Sequence, residues 1–182
     1  MGLESYNLKL FPHGNQVLLT EIGWEVKGEI YIPFSNIISF LFSLENVISY
    51  TPLELSKSED AQCYYCYSDY NSIIEIEINY GDYEEYIQEI SIRFAVCNPK
   101  GTYENAMMLC KLLSDHLKLE VLDMRLEQVL DFTDELQMAK SKKTFEEKKD
   151  HFFSTFDLPY EVISQPIHCG KAFWEVLKKG NK

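Results

Sequence analysis

"SIIEIEINYGDYEEYIQEISIRFAV", Ser72–Val96, decides the fold. In its first half Ile74, Ile76, Ile78 and Tyr80 alternate with Glu75, Glu77 and Asn79. In its second half Ile90, Ile92, Phe94 and Val96 alternate with Glu89, Ser91, Arg93 and Ala95. A period of two is that of a strand with one face buried. The intervening "GDYEEY" supplies a turn, so the stretch reads as an antiparallel hairpin. Its apolar side is expected to face helices and its acidic side water, as antiparallel sheets permit. The fold class that follows is α+β: a single domain over residues 1–182, a mainly antiparallel sheet, and helices packed on one face.

Upstream, "CYYCYSDY", Cys63–Tyr70, reads as a further strand, because Tyr64, Tyr65 and Tyr67 favour extended backbone. "NLKLF" and "NQVLLTEI" look like strands around the turn "PHGN", and "WEVKGEIYI" like another before Pro33. Ser35 can cap a buried helix running to about Glu45. Downstream, Thr102 can cap a helix over 102–117, in which Ala106, Leu109, Cys110, Leu113 and Leu117 recur at helical spacing. "KLEVLDM" then returns to a strand, and a crossover between parallel strands of one sheet would be right-handed. From about residue 131 the texture is helical. Two pieces are expected over 133–153, with Thr133 and Thr144 as caps and Thr144-x-x-Glu147 as a capping box, followed by a last helix over 170–179.

Charge is distributed unevenly. The chain has 182 residues and a net charge of -12. Residues 140–182 carry nine Lys against six acids, a net of +3, whereas the residues before them carry a net of -15. The basic stretch reads as a helix surface with mixed ion pairs rather than a nucleic-acid site, which needs a clustered basic face. Between Lys57 and Arg93 there are nine acids and no Lys or Arg, together with seven of the twelve tyrosines. Tyrosine supplies rigid contact area, and carboxylates around it steer and pair with basic groups. The candidate partner-binding residues are therefore Tyr67, Asp69, Tyr70, Glu75, Glu77, Asp82, Tyr83, Glu84, Glu85, Tyr86 and Glu89. The competing reading is that these carboxylates only solubilise an exposed sheet face.

Catalytic and metal chemistry find little footing. No G-x-S-x-G, P-loop, G-x-G-x-x-G or H-E-x-x-H occurs. Cys63-x-x-Cys66 has no second ligand pair at matching spacing, as tetrahedral zinc requires, and does not sit at a strand-to-helix junction as a redox pair would. Both cysteines are expected to be free thiols without metal, at least one of them buried as a small apolar group. His168 and Cys169 are adjacent, so their side chains diverge on regular backbone. No catalytic residue, metal ligand or cofactor is assigned. The longest apolar run, Ile37–Leu44, is too short to span a bilayer. The N-terminus lacks the pattern of a secretory signal, and Tyr6 stands where a myristoylation signal wants Ser or Thr. A cytoplasmic location without membrane attachment is the expectation.

On "CYYCYSDY" and "NYGDYEEYIQE" the chain resembles the small, acidic immunity proteins that neutralise bacterial polymorphic toxins, notably nuclease toxins. The resemblance implies a bacterial, stoichiometric inhibitor that holds a basic protein partner and binds neither nucleic acid nor membrane. Two other classes stay open. One is a structural or adaptor protein that uses the same face in an oligomer; the other is an enzyme of an unrecognised family, for which a deep pocket with converging polar groups would speak.

Overall fold

In a computed structural model of the protein, residues 2–52, 55–158, 163–170 and 173–175 are described. The Ser72–Val96 hairpin is present as β7 (Ile73–Ile78) and β9 (Ile90–Ala95). Ile74 lies opposite Phe94, Ile76 opposite Ile92 and Ile78 opposite Ile90, so the apolar phases of both strands meet on one side. These strands sit inside a seven-stranded sheet of order β11-β10-β1-β9-β7-β6-β5, every neighbouring pair antiparallel. The remaining members are β1 (Ser5–Pro12), β5 (Val47–Ser49), β6 (Tyr64–Ser68), β10 (Leu119–Asp123) and β11 (Gln128–Val129). Because β9 and β10 both run antiparallel to β1, they are parallel to each other and β1 fills the slot between them.

Three α-helices of the described residues pack on this sheet; the second keeps the limits that its apolar spacing gave, whereas the first stops at Leu41 rather than near Glu45. They are α1 (Phe34–Leu41), α2 (Thr102–Leu117) and α3 (Glu135–Thr155). Ile37 and Leu41 of α1, Ala106, Leu109, Cys110 and Leu113 of α2, and Phe145 and Phe152 of α3 join Leu8, Ile76, Ile92 and Phe94 in one apolar cluster. The helices thus cover the face to which Tyr6, Leu8 and Leu10 point.

The capping expectations fare differently. Pro33 precedes α1, with its ring-fixed φ of -57° leading into the helix, and Ser35 makes no cap. The buried Thr102 hydroxyl donates to the carbonyls of Asn71 and Pro99 instead of capping α2, which starts from Gly101 in the left-handed region. Asp134, not Thr133, caps α3 by accepting from the backbone of Leu136 and Gln137. A single helix then runs through Thr144, whose hydroxyl donates to the Lys140 carbonyl at 2.9 Å. That intrahelical bond satisfies the hydroxyl without a break, so the second cap and the two-piece reading are corrected. The helix expected over 170–179 falls largely outside the described residues, of which Phe173–Glu175 are helical.

A buried polar knot ties helices to sheet. Asp123 Oδ2 accepts from Tyr6 Oη at 2.7 Å and Ser141 Oγ at 2.5 Å, Tyr103 Oη donates to Ser141 Oγ, and Asp123 Oδ1 accepts from the backbone of Arg125 and Leu126. It joins β1, β10, α2 and α3 at one point.

Candidate functional site: a cleft on the open face of the sheet

The alternation that sends the isoleucines to the helices sends Asn7 and Lys9 of β1, Glu75 and Glu77 of β7, Ser91 and Arg93 of β9, and Tyr64 of β6 to the opposite face. That face is only partly solvated. On one side a separate hairpin, β2 (Gln16–Thr20) with β3 (Gly23–Lys27), stands over it. On the other, the segment before Gly170 crosses to it, anchored where Asn98 accepts from the Ile167 backbone. Beside the hairpin lies a cleft of about 650 Å³ walled by Leu19, Ile22 and Trp24 of the hairpin and by Tyr50, Pro52, Tyr64 and Tyr80, with Glu77, Ser91 and Asn7 on its floor.

The acidic side expected to face water is therefore corrected. Glu75 is 8% exposed and Glu89 4%. Each of these two carboxylates has a cation, which offsets the cost of burying its charge. Lys9, itself 2% exposed, donates to Glu89 Oε2 at 2.7 Å, to Tyr80 Oη at 2.6 Å and to the Trp24 carbonyl at 3.0 Å, which uses all three of its donors. Glu89 Oε1 is buried without a hydrogen-bond partner among the described residues. Burial raises the Glu89 carboxyl above its usual range, although Lys9 and Tyr80 pull the other way.

Glu75 is held differently. Its Oε2 accepts from Arg93, with Nε at 2.6 Å, while its Oε1 meets the Cys169 backbone at 3.0 Å and His168 Nδ1 at 3.2 Å. Burial alone would raise this carboxyl, but His168, Arg93 and the Cys169 N–H outweigh it and hold it below the usual range. The His168 ring stacks on Tyr50 with centroids 3.9 Å apart. Glu75 thus clasps the chain's C-terminal segment to the sheet.

Glu77 differs from both. It is half-buried on the cleft floor, and neither a hydrogen bond nor an ion pair joins it to any described residue. Burial raises its carboxyl, against the attraction of Arg93.

The aromatic walls are placed by backbone geometry. Tyr80 and Gly81 have φ of 54° and 86°, and the Asp82 N–H closes a four-residue turn on the Asn79 carbonyl at 3.0 Å. Two central residues with positive φ make a type I′ turn, which favours Asn or Gly; a tyrosine there is uncommon and carries strain. The strain sets Tyr80 against Lys9. A Cβ on Gly81 would stand 1.9 Å from the Tyr64 hydroxyl, so glycine at this position is also what lets Tyr64 lie along the cleft wall.

The residues singled out in the sequence fall into three places. Glu75, Glu77 and Glu89 belong to the cleft region. Tyr67 is buried on the helix side and donates to Asp69, which also accepts from the backbone of Asn71 and Ser72 and from Asn105; Tyr70 beside them is 91% exposed. Asp82, Tyr83, Glu84, Glu85 and Tyr86 lie beyond the other end of β7, about 17 Å away at ~3.3 Å per residue. There Tyr83 packs edge-on against Phe34, and Tyr86 pairs with Pro33 in a short ladder of β4 (Ile32–Pro33) and β8 (Tyr86–Ile87). Asp82, Glu84, Glu85 and Tyr86 are exposed. Sequence reasoning passed over Lys9, Arg93, Trp24, Tyr50, Tyr64 and Tyr80. The available signal was a Lys in the polar phase of "NLKLF" and an Arg in the polar phase of "EISIRFAV".

The two cysteines that invite a metal or redox reading are buried free thiols. Burial, with nearby carboxylates, pushes Cys63 and Cys66 up to about 12, so neither supplies a thiolate at neutral pH. Among the described residues no three His, Cys, Asp or Glu side chains are grouped as a metal ion would need, and no helix is long and apolar enough to cross a membrane. Compared with known proteins, the chain matches no family model, no curated protein and no solved structure.

Proposed function

We propose that the chain is a protein-binding inhibitor of the immunity type, which holds a basic toxin-like partner in the cytoplasm through its acidic, tyrosine-bearing surface. The observation that carries this reading is Glu77. Of the three carboxylates that β7 and Glu89 bring to the open face, two are paired directly with Arg93 and Lys9, and Glu77 is left on an aromatic-walled floor without an ion pair to any described residue. The exposed Asp82, Glu84 and Glu85, on the connection leading out of Tyr80, extend the same charge beyond the cleft, and the net charge of -12 gives long-range attraction for a basic protein.

The test is copurification from the native host followed by binding kinetics. A stoichiometric basic partner is expected, with its activity suppressed in the complex. Its association should slow as salt rises, because steering is screened over about 8 Å at physiological ionic strength. An acidic partner, or association indifferent to salt, refutes the reading.

One observation favours a second reading, an enzyme or small-molecule binder. Lys9, Tyr80, Arg93, Glu75 and Glu77 converge around a cleft of about 650 Å³, within the range of ligand sites, roughly 300–1,000 Å³. A metabolite released stoichiometrically when the purified protein is denatured, detected by mass spectrometry, would decide for it.

A further inference from the structure

We propose that the cleft is a receptor for one guanidinium group: an arginine side chain of the partner enters between Trp24, Tyr64 and Tyr80 and pairs with Glu77. The inference rests on the reading of the protein as a binder of a basic partner and names the chemistry of its anchor.

Charge selects the sign of the ligand. Among the lining residues Arg93 is committed to Glu75 at 2.5 Å, and Lys9 to Glu89 at 2.7 Å. What remains is Glu77 on the floor and the exposed Glu127 at the rim, so the unspent charge is negative. An anion entering here would meet a desolvated carboxylate and could gain a cation only by breaking an existing pair. A cation meets a carboxylate that Arg93 and Lys9 attract from nearby but that no described residue pairs with directly.

Shape and surface select among cations. Arginine is planar, stacks on aromatic faces and is more weakly hydrated than an ammonium, which makes it the cation best suited to a partly desolvated, ring-lined slot. The cleft, at about 650 Å³, is larger than one side chain. Leu19 and Ile22, both exposed on the hairpin and the latter 88% so, line the same opening and offer apolar contact to the residues flanking the arginine. Aromatic rings around one charged anchor, with apolar contacts beside it, is the composition of an interface hot spot.

The experiment titrates the intact protein with Nα-acetyl-arginine amide and with its uncharged near-isostere, Nα-acetyl-citrulline amide, following amide and indole resonances by NMR. Arginine amide is expected to shift Trp24, Glu77 and Tyr80 saturably, and citrulline amide to bind at least tenfold more weakly. Glu77→Gln should weaken arginine amide about tenfold while the rest of the spectrum stays in place. Glu127→Gln, at the rim, should change it less than twofold. Equal shifts by the two probes, an unaffected Glu77→Gln, or saturation of the cleft by inorganic phosphate instead would overturn the proposal. If the arginine probe fails while a basic partner still binds, the inhibitor reading stands and its anchor lies elsewhere; if the probe binds and the native partner is acidic, the reverse holds.

Discussion

Lys9 and Glu89 lie almost wholly out of water, and each is tolerable only because of the other. Lys9→Met would leave a buried carboxylate uncompensated and should cost about 3–5 kcal/mol, whereas adding Glu89→Leu to it should restore much of the loss. Denaturant unfolding of the single and double variants measures both. Glu75 makes a pH prediction. Its folded carboxyl is depressed, so its contribution to stability is present above the unfolded value of about 4.3 and is lost as pH falls through the lower folded value. Glu89 is raised and acts with the opposite sign, its effect disappearing as pH rises through the folded value. Glu75→Gln should therefore make the protein less stable at pH 7 yet flatten its loss of stability in acid, which thermal melts across the acid range would reveal. If wild type and variant lose stability in parallel, the clasp on His168 and Cys169 contributes nothing.

The β2–β3 hairpin packs mainly on itself and is tied down by few bonds: Trp24 O accepts from Lys9 and Tyr80, and at its base the Gly28 carbonyl accepts from Gln88 while the Asn15 side chain both accepts from and donates to the Ile30 backbone. Gly28 has φ +156° and lies so close to Asn15 that an added Cβ would stand 1.9 Å from its Oδ1. Gly28→Ala should break that base, at a cost of about 1–3 kcal/mol, and loosen residues 16–27 selectively. Hydrogen exchange that rises there while β7 and β9 stay protected is the expected result. Strand periodicity made the antiparallel hairpin of β7 and β9 readable but not its register, and it carried Tyr80 into the strand that ends at Ile78; helical spacing in "YENAMMLCKLL" gave α2 at its observed limits. Both signals are local. The cleft was not readable, because it depends on elements distant in sequence meeting over one sheet face: Lys9 from β1, Trp24 from the hairpin, Tyr50 beyond β5 and Glu77 from β7. Nothing in "IEIEI" distinguishes a glutamate facing water from one covered by another part of the chain. The caps failed for a related reason, since Thr102 and Thr144 found carbonyls closer to hand.

For the molecule as a whole, a net charge of -12 on 182 residues means self-repulsion in the folded state. Raising ionic strength from about 0.01 M to about 0.15 M shortens the screening length from about 30 Å to about 8 Å. The thermal midpoint should therefore rise, by a few degrees if the relief is on the order of 1 kcal/mol; a midpoint that falls would mean that ion pairs such as Arg93 with Glu75 outweigh the repulsion. The position of β1 has a consequence in time. Both of its edges are filled by later strands: Ser5 pairs with Ala95, and Leu8 with Asp123. At roughly 5–20 residues per second of synthesis, on the order of ten seconds pass between making β1 and making β10. Until β9 is made the nascent chain carries an apolar strand with no partner on either side, and until β10 follows one edge of it stays open. Chaperone occupancy on ribosome-bound chains should thus be greatest before residue 123 emerges and fall once β10 can close the slot, so that the first strand made is among the last to be seated.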